Sequence, residues 1–66
     1  MQQATIKVSN TLTHDDEAQI ISHLKALIGV KEINVNETSI DISFETPANL
    51  NTLEKEVYDL GYNIIS

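Results

Sequence analysis

Residues 39–45 (SIDISFE) alternate apolar and polar side chains without a break. A period of two fits an extended strand with one dry face and one wet face. Ile40, Ile42 and Phe44 fall on the dry side, and Asp41, Ser43 and Glu45 on the wet side. A sheet of this kind needs cover on its dry face, so the rest of the chain must supply it. Residues 4–9 (ATIKVS) repeat the alternation around Ile6 and Val8, and residues 30–36 (VKEINVN) repeat it around Ile33 and Val35. Glu37-Thr38 leaves only a short hairpin connection between the second and third strands. Neither residue favours the positive φ of a type I′ turn, so the turn type stays open.

The cover is predicted to be two helices. After the polar loop 10–13, Thr13 reads as an N-cap, with Asp15, Asp16 and Glu17 in a first turn where the helix dipole favours carboxylates. Ile20, Ile21, Leu24, Leu27 and Ile28 recur at helical spacings, predicting one apolar stripe and a helix running to about Ile28, with Gly29 as its stop. Asn49 or Asn51 caps a second helix bearing Leu50, Leu53, Val57 and Leu60, and Gly61 ends it. Residues 62–65 (YNII) are expected to form a short last strand.

The order is therefore βαββαβ. Two single-striped helices cover one face of a sheet, and right-handed crossovers give a split βαβ arrangement. The fold expected is an α+β, ferredoxin-like sandwich: a four-stranded antiparallel sheet with two helices on one face. Thr5, Lys7, Glu32, Asn34, Asp41 and Ser43 should lie on the open face, and all are polar. Residues 1–66 make one domain, in which a single core supplies about 3–5 kcal/mol of net stability.

In that order and spacing, the TIKV strand, GVKEINVN after the first helix, SIDISFE, and LGYNI near the end resemble a heavy-metal-associated domain of the copper-chaperone kind. The resemblance covers roughly residues 4–65. It implies a Met-x-Cys-x-x-Cys copper loop at residues 11–16, beside Tyr62. Here that segment reads Thr11-Leu12-Thr13-His14-Asp15-Asp16, so Thr13 and Asp16 stand at the two cysteine positions. Soft Cu(I) is selected by thiolate and thioether sulfur, which a hydroxyl and a carboxylate do not replace.

The chain has no cysteine, which also excludes disulfides and cysteine nucleophiles and fits a reducing compartment. The first residues lack the basic start and apolar run of a signal peptide, and residues 26–30 are too few to span a bilayer. A cytoplasmic protein without membrane insertion is the expectation. Ten acidic residues against four basic ones, a net charge of −6, disfavour nucleic acid. The dry register of Phe44 leaves no aromatic on the open face to stack bases.

His14, Asp15, Asp16 and Glu17 form the one cluster of candidate metal ligands. An imidazole with carboxylates suits a borderline divalent ion such as Zn(II) or Ni(II), and Tyr62 could add a hydroxyl. Only His14 and Glu17 share an i, i+3 relation, and His23 lies roughly 13 Å further along the helix. The same residues also make an ordinary helix start, with Thr13 capping, the acids complementing the dipole and His14 solvated. His23 is expected in solvent, and Glu54, Lys55, Glu56 and Asp59 on the wet face of the second helix. The two glycines, Gly29 and Gly61, serve as helix stops and not as a phosphate loop.

The function expected is non-enzymatic: a heavy-metal-associated-like module that has lost its copper site and docks on a protein partner in metal transport, as a monomer or weak dimer. The alternative is a non-thiolate binder of Zn or Ni through the His14–Asp16 loop, with no resident cofactor beyond weak divalent metal.

Overall fold

A computed structural model describes residues 1–65. Its elements run β1 (Gln2–Lys7), α1 (His14–Lys25), β2 (Val30–Val35), β3 (Ser39–Phe44) and α2 (Leu50–Asp59). β3 lies at the centre of an antiparallel sheet of order β1-β3-β2. Cross-strand register follows from the alternation. Ile6, Ile40 and Val35 form one dry row, and Ala4, Ile42 and Ile33 the next. Thr5, Asp41 and Asn34 form a wet row between them. Lys31 is the extra residue of a β-bulge between the Val30–Phe44 and Glu32–Ser43 pairs.

Ile20 and Leu24 of α1, with Leu53 and Val57 of α2, close over Ile6, Ile40, Ile42 and Phe44, all fully buried. Full burial of one such side chain stabilises by about 1.5–3 kcal/mol. Asn49 is the α2 N-cap, its side chain accepting from the Thr52 amide at 2.9 Å. Among the described residues, no helix is long and apolar enough to cross a membrane.

Four expectations are corrected. The sheet has three strands among the described residues and not four. Residues 62–65 make only an isolated antiparallel bridge, Val8 with Ile64. The reason lies in where this segment meets the sheet. It arrives at the end of β1, where Ser9 N–H donates to the Asn63 carbonyl at 2.9 Å and Ile65 N–H to the Lys7 carbonyl at 2.8 Å. Asn63 N–H goes instead to the Asn10 side chain at 3.0 Å, which takes it out of any ladder. β1 correspondingly starts earlier than expected, because Gln2 and Gln3 pair with Phe44 and Ser43.

Helix α1 stops at Lys25, a turn short of Ile28. Gly29 must leave the helix at φ +100° so that its carbonyl can accept the Glu45 amide at 2.8 Å. Ile28 is thereby turned outward, 77 % exposed, and does not join the core. His23 is not free in solvent, and Glu56 is not on a wet face. Nε2 of His23 and Oε1 of Glu56 meet at 2.8 Å and tie α1 to α2. The hairpin at 36–38 has no positive-φ residue, which excludes a type I′ turn; Asn36 N–H donates to the Ser39 carbonyl at 2.8 Å.

Candidate functional site

The segment between β1 and α1 is held from two sides. Val8 N–H and Leu12 N–H donate to the carbonyls of Thr38 and Glu37 in the β2–β3 hairpin, at 2.9 and 2.6 Å. On the other side lie the Ser9–Asn63 and Asn10–Asn63 bonds to the C-terminal segment. Leu12, 8 % exposed, anchors the loop in the core.

Thr13 has the extended backbone of an N-cap, and a complete capping box follows. The Asp16 amide donates to Thr13 Oγ1 at 3.2 Å. In return Asp16 Oδ2 accepts from the Thr13 amide at 2.9 Å and from the Thr13 hydroxyl at 3.0 Å. The other carboxylate oxygen, Oδ1, accepts from the Tyr62 hydroxyl at 2.7 Å. One carboxylate thus joins the start of α1 to the C-terminal segment.

Electrostatics follow the bonds. The Thr13 amide, then the Tyr62 hydroxyl, then the Thr13 hydroxyl hold the Asp16 carboxyl below the ordinary aspartate value. Burial of the Tyr62 ring, 7 % exposed, and then the Asp16 carboxylate push the phenol up to about 12. Across neutral pH the donor therefore stays O–H and the acceptor stays a carboxylate.

The structure brings together Thr13, Asp16 and Tyr62, and it leaves the other candidates apart. Asp15 is exposed on the first turn of α1. His14 and Glu17 line a cleft of about 600 Å³ together with Leu12, Thr13, Val35 and the hairpin residues 36–38. Among the described residues, no group of three or more His, Asp or Glu side chains converges as a metal site would. Nor does the Thr13–Asp16 pair fit Cu(I). Both are hard oxygen groups, and the carboxylate oxygens are already taken by hydrogen bonds.

Sequence reasoning overlooked Asn10, whose side chain accepts the Asn63 amide across most of the chain. It also overlooked Glu37 and Thr38 as backbone acceptors for the loop. The sequence carries a faint hint for Asn10, a residue type that often bonds backbone in loops. It carries none for the carbonyls, which every residue has.

No family model and no curated protein matches the chain. Among solved structures, the CsoZ metallochaperone is 39 % identical over 98 % of this chain and 97 % of its own, with a TM-score of 0.90. The chain belongs to the heavy-metal-associated, copper-chaperone-like family. Within that family, apo-CopP from Helicobacter pylori shares the fold at 21 % identity, with 97 % and 100 % coverage and a TM-score of 0.85. A copper binding domain from a P-type ATPase does so at 17 % identity, with 100 % and 96 % coverage and a TM-score of 0.87. By their names, the first of these is a metallochaperone and the last a copper binding domain. Thr13 and Asp16, the positions at which the resemblance led one to expect a cysteine pair, here build a helix cap.

Proposed function

We propose that this domain is a docking module of a metal-handling system: it binds a protein partner in the cytoplasm, as a monomer or weak dimer, and carries no copper(I) itself. The observation that carries this reading is the closure of the loop. The Asp16 carboxylate, at the second cysteine position, is spent on Thr13 and Tyr62, yet the family scaffold around it is intact. With no cysteine in the chain, soft-metal selection has no ligand set, while a surface for protein contact needs none.

The test is an amide-shift titration of the labelled protein, first with Cu(I) under reducing conditions and then with an isolated cysteine-bearing metal-binding domain of a copper ATPase. Saturable shifts at residues 10–16, 36–38 and 62–63 are expected with the protein and not with Cu(I). Saturation of the loop by micromolar Cu(I) overturns the proposal.

A second reading is a non-thiolate site for Zn(II) or Ni(II) at His14, drawing on Asp15, Asp16 or Glu17. It is favoured by one observation, that His14 and Glu17 line the same cleft as Glu37. Micromolar, saturable shifts confined to residues 10–17 and Tyr62 on adding either ion support it. Shifts that need millimolar ion, or that spread over all the acidic residues, dispose of it.

A further inference from the structure

We propose that the outer edge of β1 pairs with β1 of a second copy of this chain, antiparallel about a twofold axis at Gln3. Such pairing uses neither the loop pole nor a metal and is independent of the docking function above.

The edge is left open by the short C-terminal segment. Val8 N–H points inward, to the Thr38 carbonyl, while Ser9 N–H and the Lys7 carbonyl point outward, to Asn63 and Ile65. Backbone direction alternates along an antiparallel strand, so the N–H and C=O groups of Gln3 and Thr5 face outward as well. Among the described residues these groups have no partner. β1 lies at the edge of the sheet, and the C-terminal segment meets it only at residues 7–10.

The other edge of the sheet is guarded. β2 carries the bulge at Lys31, the Lys31–Glu45 ion pair at 3.1 Å and a further charge at Glu32. Bulges and charges are the devices by which sheet edges avoid pairing. Residues 2–6 (QQATI) have no charge and no proline, and they pair with β3 without a bulge. Strands join an edge of that kind.

A second copy is the occupant that fits. Two antiparallel strands related by a twofold axis complement each other: Gln3 faces Gln3 and exchanges both bonds, and Thr5 faces Met1. This register ends at Thr5, clear of Lys7, whose carbonyl already accepts from Ile65. A twofold axis at Ala4 would bring Met1 of the second copy onto Lys7, where Ile65 sits. The axis at Gln3 also sets Met1, 82 % exposed in the single chain, beside Thr5 of the other copy. The seam is uncharged. For a chain of net charge −6 that is the contact at which two copies repel least. A basic foreign strand would find no acid on residues 2–6 to recognise. One strand pair covers less than the roughly 1,200 Å² of a standard interface, so the association is weak.

Sedimentation equilibrium of the 66-residue chain, read up to about 1 mM, tests the pairing, with amide shifts followed on dilution. A mass approaching the dimer is expected, with shifts at Gln3 and Thr5 and none at residues 10–16 or 31–35. Raising salt from about 50 to about 500 mM should tighten association about threefold, because it screens the repulsion between two acidic chains. Association that loosens with salt points to a charged contact and overturns the neutral seam.

Gln3→Lys and Gln3→Glu each place like charges face to face across the axis, and each should weaken association about threefold to tenfold. Gln3 is exposed, so both variants should melt as wild type does. Mixed in equal amounts, they set opposite charges across the axis and should regain at least the wild-type association. Failure to regain it overturns the twofold at Gln3. A chain that stays monomeric at 1 mM overturns the second copy as occupant, even where an added peptide strand binds the same edge.

Discussion

The two poles of this molecule share backbone bonds and differ in what is added to them. At the loop pole, side chains add to the backbone bonds of Val8, Ser9 and Leu12: Thr13 and Tyr62 donate to Asp16, and the Asn10 side chain accepts from the Asn63 amide. At the opposite pole, backbone bonds predominate, beside a half-exposed Lys31–Glu45 ion pair at 3.1 Å. Glu45 N–H donates to the Gly29 carbonyl at 2.8 Å, and Ala48 N–H to the Glu45 carbonyl at 3.0 Å. A Cβ on Gly29 would press on the Glu45 carbonyl oxygen and come within 3.0 Å of the Ala48 Cβ and amide nitrogen. Backbone closure admits one residue type at Gly29. Side-chain closure admits several chemistries on the same frame, so Thr13 and Asp16 can build a helix cap while the fold stays that of the family.

The largest expected effect lies at the backbone-closed pole. Gly29→Ala meets both a positive φ and a filled space, and should cost about 2–4 kcal/mol. Gly61→Ala is the control, with φ +105° and nothing within 4 Å of the added carbon. It should cost only the conformational strain, about 1–2 kcal/mol. Urea unfolding midpoints compare the two, and equal losses would break the contrast between a crowded glycine and an open one.

Next comes the cap at the loop pole. Thr13→Ala should cost about 1 kcal/mol, or about 4–8 °C in Tm for a domain of this size. Thr13→Ser should recover most of it, since the hydroxyl and not the methyl makes the bonds. A thermal melt of Thr13→Ala that matches wild type sinks the claim that side chains hold this pole.

The smallest effect is acid sensitivity. The folded-state pKa of Asp16 is depressed, so its stabilising contribution is present above the unfolded value and is lost as pH falls through the folded one. Loosening of residues 10–16 should therefore appear only below about pH 4. The Gly29–Glu45 and Glu45–Ala48 bonds are backbone bonds and carry no titrating group. Hydrogen exchange followed from pH 6 to 3 should show the loop amides opening before the Glu45 and Ala48 amides. Simultaneous opening at both poles argues against a carboxylate holding the first.

Much of this arrangement was legible in the residues. The alternation in β3 set which side chains face the helices; Thr13 announced the first helix start, and of Asn49 and Asn51, both offered for the second, Asn49 is the cap. The open sheet face is as polar as expected, with Thr5 Oγ1 donating to Asp41 Oδ1 at 2.7 Å. Three matters were not legible. Helical spacing placed Ile28 in the core stripe, but spacing records the angle around a helix and not where the helix stops. His23 and Glu56 each looked solvated on their own helix, and only the packing of α1 on α2 makes them partners. Residues 62–65 had strand-like composition, but a ladder also needs a free partner edge in register, and Asn10 and Asn63 divert it.

Residues 13–16 show the same division. The residues alone determined that the chain offers no thiolate ligand, because ligand chemistry is a property of atoms and the sequence contains no cysteine. They also determined that Thr13 and Asp16 suit a helix start, because capping acts over three residues. Only the tertiary structure decided what Asp16 does with its second oxygen. Its partner, Tyr62, comes from the far end of the chain, and folding alone brings it within 2.7 Å.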